Sequence, residues 1–243
     1  MRPLLISLFL LMGAPLLAQD APATPTPSAP NEQPDKQPDT EAEPRGGPAR
    51  FEAAFLTKRF QERFQGAFEK ALGRKLAAPV EFVITDSMGM KALVEAESGP
   101  LGAKLTDVSP EQFLAQSRAL SKAILGKLRT SDGKVVINPE TFQAFGKLYH
   151  TDCQGQAFLD VVMIHEAVHA AQHQERSLAT FLGGQTTTPA VRARMSVVEG
   201  HAQHVARAAT RVLGLEGSFK LLVKVASELP KELPAAEREV MRV

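Results

Sequence analysis

Phe51, Phe55, Phe60, Phe64 and Phe68 recur every four or five residues, with Lys, Arg, Glu and Gln between them. That spacing predicts an amphipathic helix ending near Gly73. Residues 80–84, Val-Glu-Phe-Val-Ile, form a short apolar run bounded by Pro79 and Asp86, which predicts a strand. Residues 87–108 carry no clear period, and Gly89, Gly99, Pro100 and Gly102 argue for turns. Ser109-Pro110-Glu111 is a cap followed by proline at the first helical position, so a helix is expected from there to about Arg129. Asp132-Gly133 predicts a turn, residues 134–138 a second strand stopped by Pro139, and residues 140–148 a short helix. A long helix is expected over residues 156–182, closed by Gly183-Gly184. Thr188-Pro189 opens another, running to about Gly214. A last helix spans 215–228, before Pro230 and Pro234. The pattern is that of a helix-rich α+β domain with a small sheet, its strands preceding two long helices.

The first fifty residues differ from this pattern. Arg2 and the apolar stretch from Leu4 to Leu17 read as a signal peptide over residues 1–18, too short to span a bilayer comfortably. Residues 19–50 carry Pro22, Pro25, Pro27, Pro30, Pro34, Pro38, Pro44 and Pro48 among few large apolar side chains. Such a segment buries too little surface to offset chain entropy and reads as a disordered linker. The folded domain is therefore expected over residues 51–243, in an exported protein that is periplasmic or extracellular, with no stable membrane anchor after cleavage. The net charge of +1 gives no global field for nucleic acid. Cys153, the single cysteine, leaves no intramolecular disulfide to brace the fold. It reads as a small buried apolar residue.

Inside the first long helix stands His165-Glu166-Ala167-Val168-His169, an H-E-x-x-H pattern. Placing the 6 histidines and the glutamates independently along the chain gives about 0.01 such matches. Residues i and i+4 share one helical face, so both imidazoles can present a nitrogen to one zinc ion. Glu166 lies beside the first ligand and can act as general base toward a water on the metal. Val162, Met163, Ile164, Ala167, Val168 and Ala170 surround the motif without charge, as a dry site requires.

Zinc in a catalytic site takes three protein ligands and keeps one position open. His173 lies a further turn along the helix, ~6 Å beyond His169, too far to close the same tetrahedron. Glu199 is the better third ligand: it sits in the next long helix beside an apolar stripe of Met195, Val198, Ala202, Val205 and Ala209. Gly200 beside it is expected to let that helix pack closely on the first. His201 and His204 read as exposed polar residues, with a supporting role at the metal as the alternative. Tyr149, the only tyrosine, reads as partly buried and structural.

H-E-A-V-H-A-A-Q-H-Q over residues 165–174, followed by V-V-E-G-H-A from Val197, resembles a family of secreted bacterial gluzincin-like metallopeptidases. The likeness covers about residues 134–210. It implies a zincin fold, zinc ligation by His165, His169 and Glu199, and the base role for Glu166. Thermolysin-like enzymes, more distantly similar, place an aspartate four residues after the third ligand to orient a zinc histidine. Here that position is Gln203, whose side-chain oxygen can accept the imidazole N–H. In zincins the sheet edge lies upstream of the active helix and pairs with an extended peptide; here residues 134–138 occupy that place, as an edge or a central strand.

The expectation is an exported zinc peptidase acting on peptides or proteins, the peptide stems of the cell wall among them. The alternative is a non-catalytic envelope binding module propped by zinc.

Overall fold

The computed structural model describes residues 47–149 and 151–232, with side chains through residue 226. The expected signal peptide and residues 19–46 of the expected linker lie outside the described residues. Residues 47–50 lie inside them and are tied to the body of the protein. Pro48 bridges Gly155, Ala49 N–H donates to the Gln154 carbonyl at 3.0 Å, and Gln156 N–H donates to the Gly47 carbonyl at 3.0 Å.

Helix α1 (Ala53–Arg59) runs through a π-turn at Phe60–Phe64 into α2 (Gln65–Leu72). A four-residue repeat overruns the 3.6-residue α-turn, and the wider i→i+5 turn takes up the excess. Phe60, Phe64 and Phe68 thereby stay buried together. Gly73 ends the run at φ 78°, a left-handed cap that suits glycine. Strand β1 (Phe82–Ile84) follows.

Residues 87–102 are helical, against the expectation of turns: α3 spans Ser87–Gly102. Asp86 starts it by accepting from Gly89 N–H at 2.7 Å. Gly102 serves packing rather than turning. A Cβ at Gly102 would stand 2.7 Å from the Phe113 ring, so Gly102 lets α3 approach α4 (Pro110–Ser121) closely.

Helix α4 opens on the expected Ser109 cap, with Gln112 completing a capping box. It ends eight residues before the expected Arg129. Leu120, Ile124 and Leu128 continue a helical spacing in sequence, but residues 126–128 pair instead as strand β2 (Gly126–Leu128). Strand pairing overrides the local period here. Strand β3 (Val135–Ile137) lies in the centre of the order β1-β3-β2, parallel to β1 and antiparallel to β2. The free edge nearest the long helices thus belongs to β2, which the sequence pattern hid.

After α5 (Pro139–Leu148), helix α6 (Gln156–Glu175) forms the axis of the fold. Every residue from Phe158 to Ala171 is buried. An apolar surface on all sides is what a helix enclosed by its neighbours requires. The helix breaks at Arg176 rather than running on to Leu182, and a short helix α7 (Leu178–Gly183) follows. Helix α8 (Thr188–Val212) lies against α6, and α9 (Glu216–Glu232) packs on both. The start of α8 is held by Asp107, whose carboxylate accepts from Thr188 N–H at 3.0 Å. No helix of the described residues is long and apolar enough to cross a membrane. The architecture is helix-rich α+β with a three-stranded sheet.

Asp160 is the one charged residue of α6 with an ordinary partner inside the core. Its carboxylate takes two bonds from the Arg59 guanidinium, at 2.7 and 2.8 Å, locking α1 to α6. Removing one member leaves the other charge buried. Asp160→Ala is therefore expected to lower unfolding free energy by about 3–5 kcal/mol, read by urea denaturation.

Candidate metal centre

Helical geometry sets His165 and His169 one turn apart, their rings edge to face with centroids 5.0 Å apart. Both are buried, and so is Glu166, which has no exposed surface. A nitrogen from each ring and an oxygen of Glu166 lie within 4.8 Å of one another. From the opposite side α8 delivers Glu199, whose side chain is 13% exposed. Its two oxygens stand 3.3 Å from His165 Nε2 and 3.4 Å from His169 Nε2.

These separations have a simple meaning. Two donors bonded to zinc at ~2.0–2.1 Å with tetrahedral angles stand about 3.3–3.4 Å apart. The two Nε2 atoms, Glu199 Oε2 and both Glu166 oxygens are buried and make no hydrogen bond. Polar atoms without hydrogen bonds are costly in a core, and the group of His165, Glu166 and His169 could hold a metal ion. The donor set of two imidazoles and carboxylates suits zinc among several divalent metals.

The electrostatics agree. Burial raises the Glu166 pKa above the usual carboxylate range, partly offset by His169 and His165. Burial also works against a charged His169, but the Glu199 carboxylate outweighs it and lifts the ring to about 9. Glu199 is lowered to about 2, because His169 and His165 overcome its own desolvation. Without a metal, His169 and Glu199 thus hold each other as an ion pair, with a proton in the place of a cation.

Of the other sequence candidates, His173 accepts Leu178 N–H at 3.2 Å on Nδ1 and so caps the break between α6 and α7. It stands away from the Glu199 carboxylate, at the end of the helix. His201 and His204 are exposed on α8. Tyr149 is half-buried and stacks edge-on against Phe145 at 5.4 Å, away from the pocket. Gly200 does not serve close packing: a Cβ there would meet nothing within 4 Å. The fully buried Ala202, Ala206 and Ala209 allow the approach of α8 instead. Cys153 is buried in the main core.

Three residues escaped the sequence reading. Gln172 Oε1 lies 2.9 Å from His169 Nδ1, the orienting role expected of Gln203. Its position three residues after His169, on the same face, was the available signal. Gly126 on β2 lies against the base, where a Cβ would meet Glu166 Cγ at 3.1 Å and Ile137 Cδ1 at 2.9 Å. Lys127, beside it, is bound to Glu97 at 2.8 Å and lines a cavity of about 80 Å³ next to Glu166 and Glu199. Ile124, Leu128, Leu178, Leu182, Met195 and Val198 make the apolar wall of that cavity.

No protein-family model matches this chain, and neither a curated protein nor a solved structure does.

Metal capture must displace the proton on His169. Zinc affinity is therefore expected to rise about tenfold per pH unit up to about pH 9 and then level off, as one proton is released on binding. Chelator-competition titrations across pH measure this slope, and a flat profile would contradict the ion pair. Gly126→Ala is expected to cost about 1–3 kcal/mol of stability through overpacking against Glu166 and Ile137, read by thermal or urea unfolding.

Proposed function

We propose that this chain is a zinc-dependent hydrolase of peptide bonds, with His165, His169 and Glu199 as metal ligands and Glu166 as general base. The observation that carries the reading is the convergence of Glu199 with two imidazoles at tetrahedral-edge distances, beside a second carboxylate with no partner. Bound zinc supplies a Lewis acid that brings the pKa of a coordinated water toward ~7 and polarises a carbonyl.

The chain's own residues do the rest. Glu166 is fully enclosed, with Gly126 close against it, and both its oxygens are free to take a proton. Burial raises its pKa above the usual carboxylate range, which makes it a stronger proton acceptor. β2 is bonded to β3 on one side only, and its residues Lys127 and Leu128 border the cavity. An extended peptide added along that edge brings its backbone past Glu166. The apolar wall of the cavity then takes a hydrophobic side chain of the substrate, with Lys127 at its rim. The strand in this role is β2, and not residues 134–138. An exported location, with wall or extracellular peptides as substrates, follows from the reading of residues 1–18 and belongs to the same proposal.

Glu166→Gln is near-isosteric and cannot take the proton. Peptide hydrolysis is expected to fall ~10²–10⁴-fold or more while zinc stays bound, as read by peptide-library cleavage and metal analysis. Loss of zinc in that variant would instead make Glu166 a fourth ligand, the mark of a closed, non-catalytic site. Glu199→Ala is expected to weaken zinc binding by orders of magnitude and His173→Ala to leave it near native. Tight binding by the first and loss by the second would reverse the assignment.

A further inference from the structure

Gln172 hydrogen-bonds a proposed ligand on one helix and the backbone beside the proposed ligand on the other. Its Oε1 lies 2.9 Å from His169 Nδ1. Its Nε2 lies 2.9 Å from the Val198 carbonyl oxygen and 3.0 Å from His201 Nδ1. A side-chain amide has two ends that differ chemically, the nitrogen donating two protons and the oxygen only accepting. A backbone carbonyl can only accept. Turning the amide over would set two oxygens 2.9 Å apart, so the Val198 carbonyl fixes which end faces which partner.

Two consequences follow along the chain of bonds. With Oε1 turned to His169, Nδ1 of that ring must carry a proton and donate. Nε2 is then the nitrogen left to face Glu199, and the one that would give up its proton to a metal. With the second amide proton turned to His201, its Nδ1 must accept, so that ring carries its proton on Nε2, at the surface.

We propose that Gln172 is a positioning residue whose amide, polarised by the Val198 carbonyl, holds the Nδ1 proton of His169 so that Nε2 is the nitrogen presented to the metal, and ties that choice to the backbone next to Glu199. The metal-affinity part rests on the metal centre proposed above; the hydrogen bond to His169 does not. An ordinary orienting group needs only an acceptor. Here the acceptor is also a donor to the helix that brings the third ligand, so one side chain sets the orientation of the His169 ring and the spacing of α8 together.

Two variants separate these roles. Gln172→Met keeps the volume and removes both polar ends. Gln172→Glu keeps an acceptor for His169 but cannot donate to Val198, whose carbonyl it would oppose. Both are expected to weaken zinc binding about 10–100-fold in chelator competition on the full chain, the usual scale for groups that orient a ligand. Native affinity in Gln172→Met would overturn the proposal, and native affinity in Gln172→Glu would overturn the part assigned to the Val198 carbonyl. A second readout needs no metal. In zinc-free protein at neutral pH, long-range proton–nitrogen spectra of labelled histidine should show a slowly exchanging Hδ1 on His169 that is lost in Gln172→Met. Its absence from the native chain overturns the proposal. Its presence in a native chain that binds no zinc leaves the hydrogen bond standing and removes the proposed function instead.

Discussion

Enclosure of α6 on every side is the constraint from which the rest of the molecule follows. A helix so placed must be apolar around its whole circumference, and any polar group on it must be answered from a neighbouring element. Asp160 is answered by Arg59 from α1. His169 is answered at Nδ1 by Gln172 and, across the helix contact, by the carboxylate of Glu199. Glu166 alone on the helix has neither oxygen bonded. Fold and candidate chemistry are thus set by the same requirement, because the helix cannot be buried without arranging what surrounds these three side chains.

The parts of this arrangement carried by local patterns were legible in the sequence. The phenylalanine repeat, the Ser109 cap ahead of Pro110, and the apolar surround of the H-E-x-x-H segment each act within a few residues. The approach of Glu199 to the two histidines was legible because a lone acid next to an apolar stripe demands compensation. What stayed hidden depends on contacts between distant segments. Residues 126–128 have the spacing of a helix and become a strand only because β3 offers backbone partners. Gly89, Gly99 and Gly102 resemble turn residues, yet α3 stays helical because Asp86 caps it and the Phe113 ring needs the space at Gly102. The break after Glu175 is set by Arg176 leaving helical geometry and by the His173 ring bonding Leu178, neither of which a periodicity records.

Glutamines at two positions near the end of α6 point to a further property. Residues 172 and 174 are two apart, so they lie on nearly opposite faces of the helix. Gln172 bonds α8, while Gln174 accepts from Ala77 and Ala78 N–H at 3.0 and 3.3 Å and donates to the Ala78 carbonyl at 2.9 Å. The first fixes α6 against the helix carrying Glu199, and the second fixes it against the loop leading into the sheet. Rotation or sliding of α6 would break contacts on both sides at once. The donors are thereby held in register by folding itself, and the loss of chain freedom needed to assemble them precedes the arrival of any ligand. If the proposed metal centre is right, such rigidity would discriminate among ions by bond length and angle, since the site could not relax to fit one that is too large or prefers another geometry.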